Sequence, residues 1–386
     1  MIGLCIKYFH ENYGGMLQAL ATVTYFKRMG LKYELVQYEK CYSKLEKIKQ
    51  LPRLLNGILI NDKKEAFLKK MGAKKHPEFL KNDAIRLKSF ADFKDRYFTE
   101  LSPVFKGYKA LCDGANRYSA VVSGSDQLWS PAGLPTNYYN LMFVPDSIRK
   151  ISVASSFGVK QIPWYQKKRT AEFLNRIEFV SMRENRGSEI VEELTSRKVP
   201  TILDPVFLLS KDDWARLIPE KKELYEPYIF AYFLGAEESY RTAVKLAAQK
   251  LGCKIVALRH LDQYVPSDES FGDYAPYDVD PARFLNLLRG AKYVCTDSFH
   301  GSVFSIIHQK NFVTFNRYKE GSKHSKNSRI DTLCGNLGLQ DRRFKNNCDL
   351  EKLLVAPIDY DSVFQKFVQL KKRTDEFLNE AFNGIE

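Results

Sequence analysis

Residues 296–305, TDSFHGSVFS, place His300 directly after an apolar run and at the start of a helical stretch. A strand that turns into a helix leaves free backbone N–H groups at the positive end of the helix dipole, a natural seat for an anion. Gly301 would let a ligand approach the backbone, and Ser298 can offer a hydroxyl. The same residues also fit a helix capped by Asp297 or Ser298, with His300 satisfied at the surface. A second apolar run breaks into SGSDQLWSP, residues 123–131. There Asp126 offers a base or hydroxyl acceptor, Gln127 a neighbouring polar contact and Trp129 a flat face for a sugar ring. A capping Asp126 and a core Trp129 fit equally well.

Three further stretches carry candidate groups. ENYGGMLQALA begins with Asn12 and continues through Gly14, Gly15 and Gln18, a strand-to-helix turn whose amides could meet a phosphate or sugar; a structural turn explains it as well. SMRE ends a strand with Arg183 and Glu184, an ion pair or an anion ligand. GSKHSKNSRIDTL supplies Lys323 and Arg329 ahead of a helix, in a run that also reads as a solvated loop.

Positioning these residues falls to alternating elements. IGLCIKY, KYELVQYE, YSAVVSG, KISVASSFG, EFVSMRE and VPTILDP read as short buried strands, the pattern of a parallel sheet. Helices are expected over GMLQALATVTYFKRMG, with Gly30 as its stop, and near 165–176 and 185–195. The second half repeats the pattern through PYIFAYFLG, CKIVALR, AKYVCTD and NFVTFN, with helices between. This is α/β architecture twice over. The expected division is an N-terminal domain over 1–205, with a basic helical insertion at about 41–110, and a C-terminal, donor-binding domain over 206–358. A last helix within 359–386 is long enough to pack back on the first domain. Ligands of open α/β sheets gather at the carboxyl ends of strands, so both polar turns could line one cleft.

Composition narrows the function classes. The 386 residues are 44% hydrophobic and 27% charged, with 22 Tyr and 26 Phe, which excludes long disorder. No run reaches the about 18 apolar residues of a membrane span, and the start lacks the features of a signal peptide, so a cytoplasmic protein is expected. Seven cysteines without CxxC spacing imply a reducing compartment, and no metal site is expected. The net charge is +14; residues 41–110 hold 17 Lys+Arg against 8 Asp+Glu. That segment fits either contact with an anionic membrane at the inner face or a solvated helical face. No nucleic-acid module is present in the sequence.

Taken in order, NYGGMLQA, GSDQLW, ASSFG, SMRE, LDPVFLL and TDSFHGSVFS resemble the bacterial polysaccharide pyruvyl transferases, over residues 11 to about 340. The resemblance implies a glycosyltransferase-B-like fold, two Rossmann-like domains facing across a cleft. It also implies transfer of the pyruvyl group of phosphoenolpyruvate to two hydroxyls of a sugar (galactose or hexosamine type), in a cell-surface polysaccharide precursor such as a lipid-linked oligosaccharide. The products would be a cyclic ketal and phosphate, with no cofactor. His300 and Arg183 match the family's motif residues, His300 for the phosphate and proton donation, Arg183 for the phosphate or carboxylate. Where many members read R-L-H, this chain reads Ser298-Phe299-His300, so a cation is missing; Arg329, or else Lys323, is expected to replace it. Two other functions compete: a sugar-nucleotide-dependent glycosyltransferase of the same fold, and a non-catalytic basic protein binding membrane or nucleic acid.

Overall fold

The computed structural model describes residues 1–41, 57–133, 136–260, 263–318, 327–345 and 348–385. Two parallel sheets organise them. The first contains β1 (Ile2–Cys5), β2 (Tyr33–Glu39), β3 (Leu101–Lys106), β4 (Ala120–Ser123), β5 (Arg149–Ser155) and β6 (Phe179–Met182), in the order β3-β2-β1-β4-β5-β6. The second contains β7 (Tyr228–Tyr232), β8 (Lys254–Leu258), β9 (Tyr293–Thr296) and β10 (Asn311–Thr314), in the order β10-β9-β7-β8. All of β1, β4, β7 and β9 are buried, as strands covered by helices on both faces must be.

Two elements differ from the sequence reading. β3 falls within the stretch expected to be a helical insertion and pairs with β2 at the sheet edge, where Pro103 costs no inner ladder bond. VPTILDP forms no strand: Thr201 makes one bridge to Met182, and Pro205 opens a 3-10 turn, Pro205–Leu208. Within the basic stretch, helix Pro77–Tyr97 is also more than a solvated face. Buried Arg86 donates to the carbonyl of His260 at 3.0 Å, and Phe90 packs on Tyr13.

An aromatic contact joins the two halves. Tyr13, at the start of helix Tyr13–Arg28, stacks on Phe284 of helix Pro281–Gly290, with centroids 4.9 Å apart and planes at 9°. Tyr232 closes the group edge-on. Such pairs add about 0.5–1.5 kcal/mol beyond area burial. Helix Tyr360–Phe382 returns to the first half: Phe382 meets Phe26, and Arg149 donates to the carbonyl of Asn383 at 2.7 Å. No helix among the described residues is long and apolar enough to cross a membrane.

Candidate active site

The carboxyl ends of the two sheets meet at His300. Ser298 caps helix Phe299–Ile307 by accepting from the Gly301 amide at 3.3 Å, so the ring leaves the first turn of the helix and is buried against the other half. Gly14 makes that approach possible. A Cβ placed on it would fall 2.4 Å from both Cβ and Nδ1 of His300.

Asp204 is the hub. Its Oδ2 accepts from Ser125 Oγ at 2.8 Å and from Arg183 Nη1 at 2.9 Å, and lies 3.6 Å from His300 Nε2. Its Oδ1 accepts from the Val206 amide at 3.0 Å, which caps the 3-10 turn. Burial works to protonate this carboxyl, but His300 and Arg183 outweigh it and hold it well below the usual carboxylate range.

Arg183 follows β6 directly, and its side chain is only 1% exposed. Its Nη2 lies 3.6 Å from Asp126 Oδ1, and its guanidinium sits over the Phe299 ring at 4.6 Å. Burial opposes its charge, yet Asp204, Asp126 and Glu184 raise its pKa. Among the described residues, Nε and Nη2 find no hydrogen-bond acceptor. Asp126 has φ +80°, a left-handed conformation that Asp tolerates better than most residues. Its Oδ2 is 3.6 Å from Lys7 Nζ. Burial again raises its pKa, but Lys7, Arg183, His300 and Arg329 together hold it far below the ordinary value. It is therefore a carboxylate throughout the neutral range.

Arg329 also lies over the Phe299 ring, 6.0 Å from its centre, and its buried Nε has no acceptor among the described residues. Burial and Arg183 push its pKa down to about 10, against Asp126 and Glu184. It remains charged at neutral pH. Glu184 Oε1 accepts from Ser156 Oγ at 2.7 Å, and burial raises its pKa. Arg183 and Arg329 thus approach one aromatic ring with unused N–H groups, an arrangement suited to an anion carrying more than one charge.

Several expected contacts are corrected. Trp129 is fully buried between Phe157 and Phe173, and its Nε1 donates to the Tyr139 carbonyl at 3.0 Å; it anchors the core and presents no face to a sugar. Gln18 is buried in its helix and donates to Thr22 at 2.8 Å. Asn12 is an N-cap that accepts from the Gly15 amide at 2.9 Å, so that amide is not free for a phosphate. Gly14 faces His300. Ser298 is occupied as a cap, and Gly301 is small because a Cβ would sit 2.7 Å from Thr296 Oγ1. Gln127 packs on Gly158, and its buried Nε2 finds no acceptor among the described residues, so it stays available as a polar contact. Asp297 does not cap the helix; it accepts from the Leu234 and Gly235 amides at 2.6 and 2.8 Å. Lys323 lies outside the described residues. The sequence reading missed Asp204, Lys7 and Ser125. An Asp-Pro pair beyond an apolar run was the available signal for Asp204, since an aspartate before proline marks a capping carboxylate at the start of a turn.

Two Rossmann-like halves whose strand ends share one cationic cluster define a glycosyltransferase-B-type enzyme scaffold. A solved UDP-N-acetylglucosamine 2-epimerase shares it, with TM-score 0.53 and 11% identity over 99% of this chain and 94% of that one. A Neisseria meningitidis UDP-GlcNAc 2-epimerase bound to UDP-GlcNAc matches with TM-score 0.46 and 10% identity, covering 100% and 95%. Acinetobacter baumannii MurG matches with TM-score 0.44 and 8% identity, covering 98% of each chain. The family profile for polysaccharide pyruvyl transferases matches residues 12–318, and the chain belongs to that family. A search of curated proteins finds no significant match.

Proposed function

We propose that this pyruvyl transferase takes phosphoenolpyruvate as donor and builds a cyclic ketal on two hydroxyls of a galactose- or hexosamine-type sugar. The acceptor belongs to a cell-surface polysaccharide precursor. The observation that carries the reading is the pair of guanidiniums, buried Arg183 and part-buried Arg329, with N–H groups lacking acceptors among the described residues beside His300 and Asp126. A donor bearing a phosphate and a carboxylate would satisfy them. His300 supplies the proton that the vinyl CH2 takes up, and Asp204 orients its ring. The first hydroxyl oxygen then bonds to the cationic carbon. Asp126 receives the proton released; a weakly basic carboxylate is sufficient, because the hydroxyl becomes strongly acidic as that bond forms. The second hydroxyl adds at the same carbon, the carbon–oxygen bond to phosphate breaks, and phosphate leaves with that electron pair and the second proton. The basic residues neutralise the donor, so the reading requires no cofactor or metal.

Helix Gly57–Lys74 exposes Phe67 and Leu68 beside Lys63, Lys64 and Lys70, which supports contact with an anionic membrane where a lipid-linked acceptor would be met. The deciding experiment measures phosphate release from phosphoenolpyruvate across a panel of galactosides and hexosaminides, with UDP-sugar consumption in parallel. Acceptor-dependent phosphate release is expected. Turnover of a UDP-sugar without any phosphoenolpyruvate use would instead establish the glycosyltransferase alternative.

A further inference from the structure

A cavity of about 630 Å³ opens at the carboxyl ends of β1 and β2, apart from the guanidinium pair. That volume is ordinary for a small-molecule site. Its walls include Tyr8, Phe9, His10, Glu39, Asp95 and Tyr139. Phe9 is 46% exposed and stands edge-on to Tyr8, with centroids 5.1 Å apart, and the His10 ring lies tilted against Phe9 at 4.9 Å. A large apolar ring held at the mouth of a polar cavity is costly in water and gains by covering the C–H face of a ligand. The charges that line the cavity are balanced: Lys40 and Lys94 stand against Glu39 and Asp95, and Lys94 pairs with Asp95 at 3.3 Å. The cavity therefore suits an uncharged ligand rich in hydroxyls, not the anionic donor.

Its position ties it to the reacting groups. Lys7, which pairs with Asp126, immediately precedes Tyr8 in the chain. His10 lies within electrostatic reach of Lys7, Glu11, Asp126 and Lys40. His10 itself is exposed at the cavity; partial desolvation, then Lys7, lowers its pKa, with Glu11 and Asp126 opposing, so its ring is neutral at physiological pH and can accept as well as donate a hydrogen bond.

We infer that this cavity is the acceptor subsite: it holds a neutral saccharide ring against Phe9, with hydroxyls bonded by His10 and directed towards Asp126. The inference rests on the pyruvyl-transfer reading above and adds the place and chemical class of the acceptor. The test combines saturation-transfer NMR of the saccharide panel on full-length protein, in the presence of phosphoenolpyruvate, with kinetics of Phe9→Ala, Phe9→Trp and His10→Ala. The wild-type protein should bind at least one neutral saccharide. Phe9→Ala should raise the acceptor KM about tenfold and leave the phosphoenolpyruvate KM unchanged, whereas Phe9→Trp, which keeps a flat ring, should stay close to wild type. His10→Ala should weaken the acceptor and not the donor. Binding unchanged in Phe9→Ala, or no saccharide bound by the wild type, overturns the subsite. Failure of the donor reading shows separately, as absent phosphate release while saccharide binding persists.

Discussion

Gly14→Ala isolates the contact that brings the two halves together. Alanine favours a helix over glycine by about 1 kcal/mol, so the helix Tyr13–Arg28 itself should gain from the change. The loss comes from space alone: the new methyl would lie 2.4 Å from Cβ of His300, which is buried and cannot swing aside like a long side chain. Overpacking of this kind costs about 1–3 kcal/mol, for a net loss of about 0–2 kcal/mol after the helix gain. The effect on chemistry should be larger. Relief requires His300 to shift by about 1 Å from its place beside Asp204, and such a displacement costs on the order of 100-fold in rate. Gly15→Ala is the internal control, because its methyl would find nothing closer than Asn12 Oδ1 at 3.6 Å. Thermal melting and phosphoenolpyruvate-dependent phosphate release on both variants read the two effects. The expected result is a near-normal melting temperature and about 100-fold lower turnover for Gly14→Ala, with Gly15→Ala unimpaired. Equal damage in both, or turnover in Gly14→Ala within about twofold of wild type, would refute the argument.

Asp204→Asn removes the charge beside both Arg183 and His300; turnover should fall about 100-fold or more and stability by up to about 3–5 kcal/mol, checked by kinetics and urea unfolding, and normal turnover would remove Asp204 from the site. Arg329→Lys keeps the charge but loses the planar fork, so the phosphoenolpyruvate KM should rise about tenfold; an unchanged KM would exclude Arg329 as the replacement cation. Ser298→Ala deletes a cap and should cost about 1 kcal/mol in stability while leaving the donor KM alone; a raised KM would return Ser298 to the binding set. Burial pushes the pKa of His308, which stacks on Phe304, down to about 3. Between its unfolded value near 6.5 and about 3, the unfolded chain takes up a proton that the folded ring refuses, so stability falls with pH. At pH 4.5 this amounts to about 2.7 kcal/mol. His308→Leu should unfold at higher urea relative to wild type at pH 4.5 than at pH 7.5, and an identical difference at the two pH values would contradict the sign.

The strands that carry the site were legible because short apolar runs ending in small polar turns have few alternatives. β4, β6 and β9 lie where their sequences place them, and this brought Asp126, Arg183 and His300 together. β3 was hidden because LSPVFK carries a proline and follows a lysine-rich helix; only its place at a sheet edge accommodates both. Asp204 was hidden for a different reason. It reaches the cluster from a loop, and its role depends on three partners from residues 125, 183 and 300, whose convergence no local pattern encodes. Trp129 and Gln18 show the reverse error: a sequence gives the type of a side chain near a turn, but the packing of Phe157 and Phe173 decides that Trp129 faces inward.

The charged cluster around His300 draws on both halves. Arg183, Asp126 and Asp204 come from the first half and its exit loop, whereas His300, Phe299 and Arg329 come from the second. Each half supplies one guanidinium to the same ring. Like charges so placed repel, and their unpaired N–H groups leave a desolvation cost of about 1–3 kcal/mol for each unsatisfied group. Tyr13 stacked on Phe284 and the Gly14–His300 contact hold the halves together in spite of that cost. An anion between the two guanidiniums would remove the repulsion and the missing hydrogen bonds at once, so on the pyruvyl-transfer proposal donor binding would strengthen the contact between the halves. On the same proposal Asp126, ion-paired to Lys7 on one side and facing Arg183 on the other, would be the carboxylate at the boundary between donor and acceptor, where the proton of an attacking hydroxyl would go.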